Sequence, residues 1–562
     1  MLFEKLLAAR GLDDNIKKDV FLSPSYEAGH DPFLLPDMQK AVDRLVLARK
    51  NQERITIYGD YDIDGLTATT VLLDALESFG FQHIDAFIPN RFVEGYGLTI
   101  DAVEKIAESG AQLIITVDCG SLSEKEIIRA GELGVDVVVT DHHNVAPKQP
   151  PAIAVINPKR LLADYPEEYT DLVLKSDSKL TGKVYPFLDL PGVGVAFKLV
   201  QALQTQLEGL PLGHEKWLLD LVALGTVCDV VTLVDENRAN VYWGLKVLSK
   251  TRRAGLKALM AVARVEPETL NARSLGFGLG PRMNAAGRLE TAQHSLDMLR
   301  ASDTLLALKK AQQLDVLNTT RRTDQDKIFK AALMQAESYR YDPVLVVSHP
   351  DWNHGIIGIV AAKLLEKYKK PTFVLQEIGD ESKGSARSYG DFSAADAIRA
   401  ADDLITKGGG HKLAAGVTLP TKNIEAFRSR VNEFYRTKNL FNQSDLLLPR
   451  EDVTLEDFSE INEELLSKLL LLEPYGNGNP EPVFKIIDAL VVNQRRMGSE
   501  SQHVKLELQD RVGKRLQLMA FNAPEHYFME PGLSVTVWFQ PTLNEWQGRR
   551  SVEGRMLHVI ER

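Results

Sequence analysis

Short apolar, β-branched runs alternate with helical patterns between Arg54 and Pro158. The runs predict strands at residues 55–58, 84–88, 113–117 and 135–139, and the intervening patterns predict helices at 66–80, 99–109 and 123–133. Strands that are apolar throughout and separated by helices are typical of a parallel sheet covered on both faces. The sequence therefore predicts an α/β domain in this part of the chain.

The pattern changes several times along the rest of the chain. Residues 190–300 have a mostly helical pattern, and 301–341 predict one long polar helix without evident caps. That helix either connects two domains or is the last helix of the first one. Alternating strands after residue 448 predict a small antiparallel barrel. The predicted units are a helical extension (1–45), an α/β domain (46–300), a connecting helix (301–341), a smaller α/β domain (342–445) and a barrel (446–562).

Bulk composition is that of an ordinary globular chain. At 562 residues, with 44% hydrophobic and 25% charged residues, roughly two to four domains are expected. Two cysteines suit a reducing compartment. The N-terminus lacks a signal-peptide pattern, and no apolar run reaches the about 20 residues of a membrane helix, so we expect a cytoplasmic protein. The net charge of −11 argues weakly against coating duplex DNA but allows a locally basic groove.

An acidic loop follows the first predicted strand. Asp60, Asp62 and Asp64 stand at alternate positions, followed by Gly65. Burying three carboxylates in one turn is costly unless a cation neutralises them, and hard divalent ions prefer such oxygen ligands. An EF-hand is excluded because no Glu occupies its twelfth position. The alternative is a solvated acidic turn.

Further potential ligands follow the next strands. Asp118 comes directly after residues 113–117, and Asp141, His142 and His143 come after 135–139. Ligands of parallel sheets bind outside the carboxyl ends of the strands. Asp229, in an apolar run, adds a fourth acidic position, although alone it would more often cap a helix or be a satisfied core acid.

These positions suit a pair of divalent ions. Two ions about 3.5–4 Å apart activate a water and polarise a phosphate in two-metal hydrolysis. The position of Asp118 between the other clusters nominates it as the carboxylate that bridges both ions. No phosphate-binding P-loop and no Ser/His/Asp or Cys/His nucleophile motif stands out.

These residues resemble the motifs of the DHH phosphoesterase superfamily, and among its members the RecJ family of bacterial single-strand exonucleases. The resemblance covers about residues 45–562, in the family's domain order. It implies a DHH catalytic domain, a DHH-associated domain and an OB-fold domain that binds nucleic acid. The matching segments are residues 58–67, 116–120, 141–143, 225–231, 282–289, 354–361, 383–388, 408–416 and 473–484.

The resemblance also implies roles at the metal centre, which would hold two Mn²⁺ or Mg²⁺ ions. Tyr58 stands where relatives often have His. Asp60 would therefore be either an additional metal ligand or an acid that contacts the ligands and not the metal. His143 would contact the scissile phosphate or orient the water, and Asp141 would support the histidines. The implied ligands are Asp62, Asp64, Asp118, His142 and Asp229.

A second set of residues is implied to bind the substrate. The 5′-terminal phosphate would be held by Ser385, Arg387, Gly409, Gly410 and His411, whose donors suit an anion. Arg282, Asn284, Arg288 and His354 are further candidates. The alternatives are inter-domain ion pairs for Arg288 and Arg387, a satisfied structural role for His354, and a tight turn for the glycines.

The implied activity is 5′→3′ degradation of single-stranded DNA to 5′-mononucleotides, in DNA repair and recombination. The implied partners are single-stranded DNA, single-strand-binding protein and a RecQ-type helicase, with the chain as a monomer. Phe521, Trp538 and Trp546 would stack bases or pack in a core. The stretch 160–184 looks like a polar insertion without an assignable function.

Three other functions stay open. A smaller DHH enzyme hydrolyses short oligoribonucleotides or cyclic dinucleotides, and another hydrolyses pyrophosphate. The predicted barrel counts against both. A catalytically inactive RecJ-like replication scaffold is the third, and the complete set of acidic and histidine positions counts against it.

Overall fold

The computed structural model describes residues 1–165, 182–438, 444–546 and 548–561, and within these residues the strands form three sheets. Most of the predicted insertion at 160–184 lies outside the described residues, and so does the side chain of Trp546. None of the helices described is both long and apolar enough to span a membrane.

The first sheet is parallel throughout, as the sequence predicted. Its order is β2-β1-β3-β4-β5. The strands are β1 (Ile55–Gly59), β2 (Ile84–Phe87), β3 (Leu113–Val117), β4 (Asp136–Thr140) and β5 (Ala154–Ile156).

Helices cover both faces of this sheet. Ile57 of β1 packs in one cluster with the helices Ile63–Ser78 and Gly192–Leu203, whereas Tyr58 packs in another with the helices Ile100–Glu108 and Glu124–Glu132. Neighbouring residues of β1 point to opposite faces because side chains alternate along a strand. The carboxyl ends of the strands therefore remain the open edge at which a site is built.

The helical half of the first domain packs around the same core. The connecting helix (Thr304–Ser338) leads to the second domain, and it has a cap that the sequence analysis did not assign, because Asp303 accepts from the N–H of Leu306 at 2.8 Å. The remaining helices are Met38–Asn51, Leu161–Asp164, Leu219–Cys228, Asp235–Leu248, Ala254–Ala263, Gly280–Leu289 and Gln293–Leu299, with a π-helix at Ser274–Leu279.

The second sheet is mixed, with order β6-β7-β8-β10-β9. β6 and β7 are parallel and the other pairs are antiparallel. The strands are β6 (Leu345–His349), β7 (Thr372–Ile378), β8 (Glu381–Arg387), β9 (Lys407–Gly410) and β10 (Ala414–Pro420), with helices Ile357–Tyr368, Ala394–Arg399 and Ile424–Thr437.

The C-terminal sheet closes into a five-stranded barrel because β12 also pairs with β15. The predicted barrel is confirmed, but one closing pair, β14 with β16, is parallel instead of antiparallel. The strands are β11 (Val453–Leu455), β12 (Phe484–Met497), β13 (His503–Gln509), β14 (Arg515–Ala520), β15 (Ser534–Trp546) and β16 (Arg549–Glu561), with a helix at Glu463–Leu469.

The N-terminal extension is helical over Leu2–Ala9 and Asn15–Leu22. Leu2 and Leu6 are buried in the core of the barrel, at the far end of the chain. The two ends of the chain therefore pack together. The domain boundaries given above stay predictions.

Candidate metal centre and adjoining cavity

The acidic loop lies between β1 and the helix Ile63–Ser78. Asp62 caps this helix, and its Oδ1 accepts from the N–H groups of Asp64 at 2.9 Å and Gly65 at 3.2 Å. A carboxylate is favourable at a helix N-terminus. A Cβ on Gly65 would lie 2.6 Å from the main chain of Asp60, so this turn requires glycine. The loop thereby gathers three acids within one turn.

The helix Gly192–Leu203 docks its N-terminus onto this loop. The N–H groups of Gly192 and Val193 donate to the two oxygens of Asp64 at 2.5 and 2.9 Å. Asp118 follows β3 with a φ of 61° and is buried. A Cβ on Gly192 would lie 2.7 Å from the Cβ of Asp118. Glycine therefore permits the close approach that places Asp118 beside Asp64.

The carboxylate of Asp141 is hydrogen-bonded to neighbouring residues. It accepts from the N–H of Ser121 at 3.0 Å and the N–H of His142 at 2.7 Å, and lies 2.8 Å from Nδ1 of His143. Burial by itself would raise the pKa of Asp141, but the hydrogen bond and charge of His143 hold it well below its usual range. Asp141 therefore stays ionised and orients the histidines.

Asp229 is the C-terminal cap of the helix Leu219–Cys228, which is one of the two alternatives given for this acid from the sequence. Helix C-termini carry partial negative charge, which disfavours a carboxylate. Burial, followed by the charges of Asp64 and Asp62, raises the pKa of Asp229 to about 9. An acid in this position calls for a neutralising cation.

These side chains converge on His142. Its Nε2 lies 3.0 Å from Oδ1 of Asp118, 3.7 Å from Oδ2 of Asp229 and 3.8 Å from Oδ2 of Asp64. Potential ligand atoms within 4.8 Å of one another form three overlapping groups, namely Asp118–His142–His143, Asp64–His142–Asp229 and Asp60–Asp62–Asp118. Asp118 and His142 each belong to two of these groups.

The electrostatics of the cluster fit a divalent cation. Burial and then Asp62 raise the pKa of Asp64 to about 7, and burial with neighbouring carboxylates raises the pKa values of Asp60 and Asp118. Burial lowers the pKa of His142 to about 3, which keeps its imidazole neutral. In the described part of the chain, Oδ1 of Asp60, Oδ1 of Asp118 and both ring nitrogens of His142 lack hydrogen-bond partners. Oxygen and imidazole donors of this kind suit Mg²⁺ or Mn²⁺.

Tyr96 is a side chain at this centre that the sequence analysis missed. Its hydroxyl lies 3.2 Å from Nε2 of His143, and the two rings meet edge to face with centroids 5.8 Å apart. Tyr96 follows β2 in the chain. Its position after a strand of the parallel sheet is the signal that could have identified it.

Arginines lie close together beside the metal centre. Burial, followed by the charges of Arg91, Arg321 and Arg387, lowers the pKa of Arg288 to about 10. Among the described residues the two arginines donate to main-chain carbonyls and not to carboxylates: Nη1 of Arg288 donates to the carbonyl of Gly355 at 3.2 Å, and Nη1 of Arg387 donates to the carbonyl of Ala386 at 2.8 Å. Nε of Arg91 and Nε of Arg321 are buried without a partner in that same part of the chain. Sequence reasoning missed Arg91 and Arg321 as members of this cluster.

Residues of the second domain form a row across its sheet. Ser385 pairs with Gly416, and Gly416 pairs with Gly409, so Ser385 and Gly409 flank one strand. A Cβ on Gly358 would lie 3.1 Å from Nη2 of Arg387 and 3.3 Å from Oγ of Ser385. Gly410 ends β9, and His411 follows it, both exposed. The structure therefore brings Ser385, Arg387 and the glycine-rich strand to one region.

Two residues predicted to bind the substrate, Arg282 and His354, are hydrogen-bonded to other side chains of the protein. Nε of Arg282 donates to Oδ1 of Asp315 at 2.7 Å, which ties the first domain to the connecting helix. Nδ1 of His354 lies 2.8 Å from Oε1 of Gln376, and burial lowers its pKa, so its ring is neutral. This geometry favours a structural role for His354.

A cavity of about 840 Å³ opens next to the metal centre, between the first domain, the connecting helix and the barrel. It adjoins Cys228, the neighbour of Asp229. Asn284 lies on its wall. The cavity is lined among others by Asn284, Arg288, Arg321, Phe277, Tyr475 and Arg555.

The aromatic residues of the barrel that were candidates for base stacking differ in how deeply they are buried. Trp538 is 7% exposed, and its Nε1 donates to Oε2 of Glu451 at 3.0 Å, so it packs in the barrel. Phe521 is 64% exposed and touches the ring of His503 edge to face. Phe521 therefore remains available for stacking.

Comparisons with known proteins identify the parts of the chain. The sequence model of the DHH family N-terminal domain matches residues 54–226, that of the DHHA1 domain 342–437 and that of the RecJ OB domain 452–558. The parallel sheet with its acidic centre, followed by these domains, places the protein in the DHH family.

Two curated relatives narrow the class further. The chain is 36% identical over 98% of its length to the single-stranded-DNA-specific exonuclease RecJ of Bacillus subtilis, of which it spans 66%, just under two thirds. It is 34% identical to RecJ of Salmonella typhimurium over 92% of its length and spans 89% of that protein. The chain belongs to the RecJ family.

Solved structures agree with this assignment. RecJ of Thermus thermophilus in complex with Mn²⁺ superimposes with a TM-score of 0.81 at 29% identity, covering 99% of this chain and 75% of that one. The same protein with Mg²⁺ superimposes with a TM-score of 0.75. Both ions named in these structures are those that the ligand chemistry of this centre favours.

Proposed function

We propose that the protein is a metal-dependent exonuclease that degrades single-stranded DNA from its 5′ end to 5′-mononucleotides. The observation that carries this proposal is the metal centre built on Asp118 and His142, beside an arginine cluster and a cavity that reaches the barrel. Its relatives are named as single-stranded-DNA-specific exonucleases.

Two divalent ions would be held by the carboxylates and the imidazole of the centre. When bound, such ions polarise a phosphate and lower the pKa of water. Asp118 is the proposed shared ligand, and Asp60 is the proposed additional one. The proposed ligand set is Asp60, Asp62, Asp64, Asp118, His142 and Asp229.

His143 is proposed to contact the scissile phosphate. Burial alone would lower its pKa, but the hydrogen bond and charge of Asp141 raise it above the usual value. A protonated imidazole donates a charge-assisted hydrogen bond to a phosphate oxygen. Tyr96, at 3.2 Å, restricts the orientation of that ring. His143 would thus stabilise the negative charge that develops on the phosphate.

The polarity of degradation is proposed to come from an anchor for the 5′-terminal phosphate in the second domain. Arg387 is largely buried without an ion pair in the described residues, and Ser385 and the main chain of Gly409 and Gly410 lie nearby. An unpaired guanidinium beside hydroxyl and amide donors suits a terminal phosphate dianion. Binding the end of the strand there would place the first phosphodiester at the metal centre.

The arginines beside the centre and the barrel are proposed to hold the rest of the strand. Arg288 and Arg321 line the cavity, and Phe521 offers an exposed ring on the barrel. Phosphate neutralisation and base stacking bind single strands with little sequence preference. We further propose a cytoplasmic monomer that acts in DNA repair and recombination, with single-strand-binding protein and a RecQ-type helicase as partners.

The test uses oligodeoxynucleotides labelled at either end, single- or double-stranded, with Mn²⁺ and wild type or the Asp118→Ala variant. We expect mononucleotides from the 5′ end of single strands with wild type alone. Release from the 3′ end, or equal cleavage of duplex and single strand, would contradict the proposed specificity. A preference for dinucleotides or RNA would favour a small oligoribonuclease, and absence of cleavage by wild type would favour a scaffold.

A further inference from the structure

Arg238 joins three separate parts of the chain. It lies in the helix Asp235–Leu248 of the first domain and is only 2% exposed. Nε donates to the carbonyl of Phe21 in the N-terminal extension at 3.0 Å, and the guanidinium lies 3.9 Å from the centre of the Phe21 ring. The other four N–H groups donate to the carbonyls of Leu471, Leu472, Glu473 and Pro474 at 2.9–3.3 Å. All five donors of the guanidinium are therefore used by main-chain carbonyls.

This guanidinium is buried without a carboxylate partner among the described residues. Burial lowers its pKa to about 10. Three of its acceptors are at or next to the end of the short helix Leu470–Leu472, where partial negative charge favours a cation. Burying a charge is costly, and an apolar side chain of similar size often serves stability as well. The arrangement therefore favours a role in fixing position rather than in maximising stability.

The acceptor residues begin a segment that leads into the barrel, here called the clasp segment (471–480). It also touches the first domain next to the metal centre. The N–H of Leu233 donates to the carbonyl of Asn477 at 2.7 Å, and Nδ2 of Asn477 donates to the carbonyl of Val230 at 2.9 Å. Val230 directly follows Asp229. The clasp segment is thus held at two points on the first domain.

The clasp segment is also a wall of the cavity. Glu473, Tyr475 and Asn477 line it together with Arg288 and Asn284 of the first domain. β12 begins at Phe484, a few residues beyond the clasp segment, so the placement of the segment sets the placement of the barrel. A shift of the segment would change the width of the cavity.

We propose that Arg238 is a positioning residue for DNA binding, which holds the clasp segment and the barrel at the distance that lets the cavity grip the strand beyond the scissile phosphate. This inference rests on the proposed function. Arg238 is neither a potential ligand of the metal centre nor a cavity-lining residue itself, and it reaches the cavity wall only through the main-chain carbonyl of Glu473. Its loss should therefore weaken the binding of long strands and spare the cleavage of substrates too short to reach the barrel.

The experiment compares wild type with Arg238→Met and Arg238→Lys in the full-length protein. KM and kcat are measured with Mn²⁺ for a long single-stranded oligodeoxynucleotide and for a 5′-phosphorylated dinucleotide. For Arg238→Met we expect KM for the long strand to rise about tenfold, with kcat/KM for the dinucleotide changed less than about twofold. Arg238→Lys, which keeps the charge but has fewer donors, should give a smaller rise.

Arg428→Met is the matched control. Arg428 is also a buried arginine (6% exposed), donates to the carbonyl of Val346 at 3.1 Å and lies 3.8 Å from the centre of the Tyr339 ring. Unlike Arg238 it has a carboxylate partner, Glu425, but it does not line the cavity, so its substitution removes a buried guanidinium without affecting the clasp segment. Its KM for the long strand should equal that of wild type. An equal rise of KM in both variants would overturn the proposal, as would an equal loss on both substrates in Arg238→Met.

A second readout does not depend on catalysis. The dissociation constant for a fluorescent single strand is measured by anisotropy in EDTA, and it should rise about tenfold in Arg238→Met. An unchanged constant would overturn the inference even if wild type proves to be the proposed exonuclease. If wild type does not degrade DNA, the proposed function fails while the binding measurement still decides the role of Arg238. Should Arg238→Met not fold, Asn477→Ala loosens the same segment, and unchanged DNA binding in it would equally overturn the proposal.

Discussion

Oδ1 of Asp118 lies 3.0 Å from Nε2 of His142, yet neither atom makes a hydrogen bond in the described part of the chain. Burial lowers the pKa of His142 to about 3 and raises that of Asp118, so the pair is not an ion pair in the absence of metal. Two buried polar atoms that face each other without forming a hydrogen bond are expected when both bind the same cation.

Replacement of Asp118 by its neutral isostere should have opposite effects on activity and on metal-free stability. Asp118→Asn should lower exonuclease activity roughly 10²- to 10³-fold or more, because a shared ligand is lost. In EDTA the variant should unfold at a higher temperature than wild type, because one buried repulsive charge is removed. Saturating Mn²⁺ should stabilise wild type more than the variant. Calorimetry with and without Mn²⁺ measures both, and equal stabilisation by Mn²⁺ would contradict the assignment of Asp118 as a ligand.

The stability of the metal-free protein should depend on pH through Asp229. Its pKa is about 9 in the folded protein, whereas an unfolded Asp titrates near roughly 3.9. The unfolded chain therefore loses this proton first, and the penalty to folding grows as pH rises between these values. Asp229→Asn removes the penalty, so in EDTA it should stabilise the protein more at about pH 8 than at about pH 5.

The measurement for Asp229 is urea unfolding in EDTA at both pH values. Asp13→Asn, at an exposed position, is the control and should give no comparable pH-dependent gain. If Asp229→Asn raises the free energy of unfolding by the same amount at both pH values, the result would contradict the raised pKa of Asp229.

A single methyl group at Gly192 should disturb the metal centre. The added Cβ would lie 2.7 Å from Cβ of Asp118, in a core where no flexible side chain can yield. Gly192→Ala should lower the affinity for Mn²⁺ roughly 10- to 100-fold, as expected when a ligand is displaced by its surroundings. Mn²⁺ titration of the thermal unfolding temperature measures the change. Gly131→Ala, in a helix where nothing lies within 4 Å of the added Cβ, should bind Mn²⁺ like wild type.

The proposed anchor for the 5′ end predicts a change in substrate discrimination. Arg387→Met should raise KM for 5′-phosphorylated strands roughly 10- to 100-fold, because a charge-assisted contact with the terminal phosphate is lost. KM for strands with a 5′-hydroxyl should change much less. Arg399→Met removes an arginine whose side chain is 76% exposed and should leave both values unchanged. A parallel rise of KM for both kinds of 5′ end would argue against an anchor at Arg387.

Local patterns determined much of the fold and the core of the metal centre. The apolar runs of β1 and β3 specify buried strands, and a residue that follows such a strand must lie at the carboxyl edge of the sheet. Asp60, Asp118 and Asp141 were therefore brought together by a rule that needs only neighbouring residues. The capping of a helix by Asp62 is likewise a local event, since its partners are the next few N–H groups.

Other features depend on residues that are far apart in the chain and leave no local pattern. Arg91, Arg288 and Arg321 form one cluster only because the connecting helix packs against the first domain. The apolar run before Asp229 suits a buried strand or a buried helix, so the sequence left the position of Asp229 at a helix end as one alternative among others. In the sequence, Arg238 looks like an ordinary polar residue of a helix. Its carbonyl partners come from two segments far away in the chain, the N-terminal extension and the clasp segment. Sequence periodicity reports which side of an element is buried, whereas the tertiary structure decides what it is buried against.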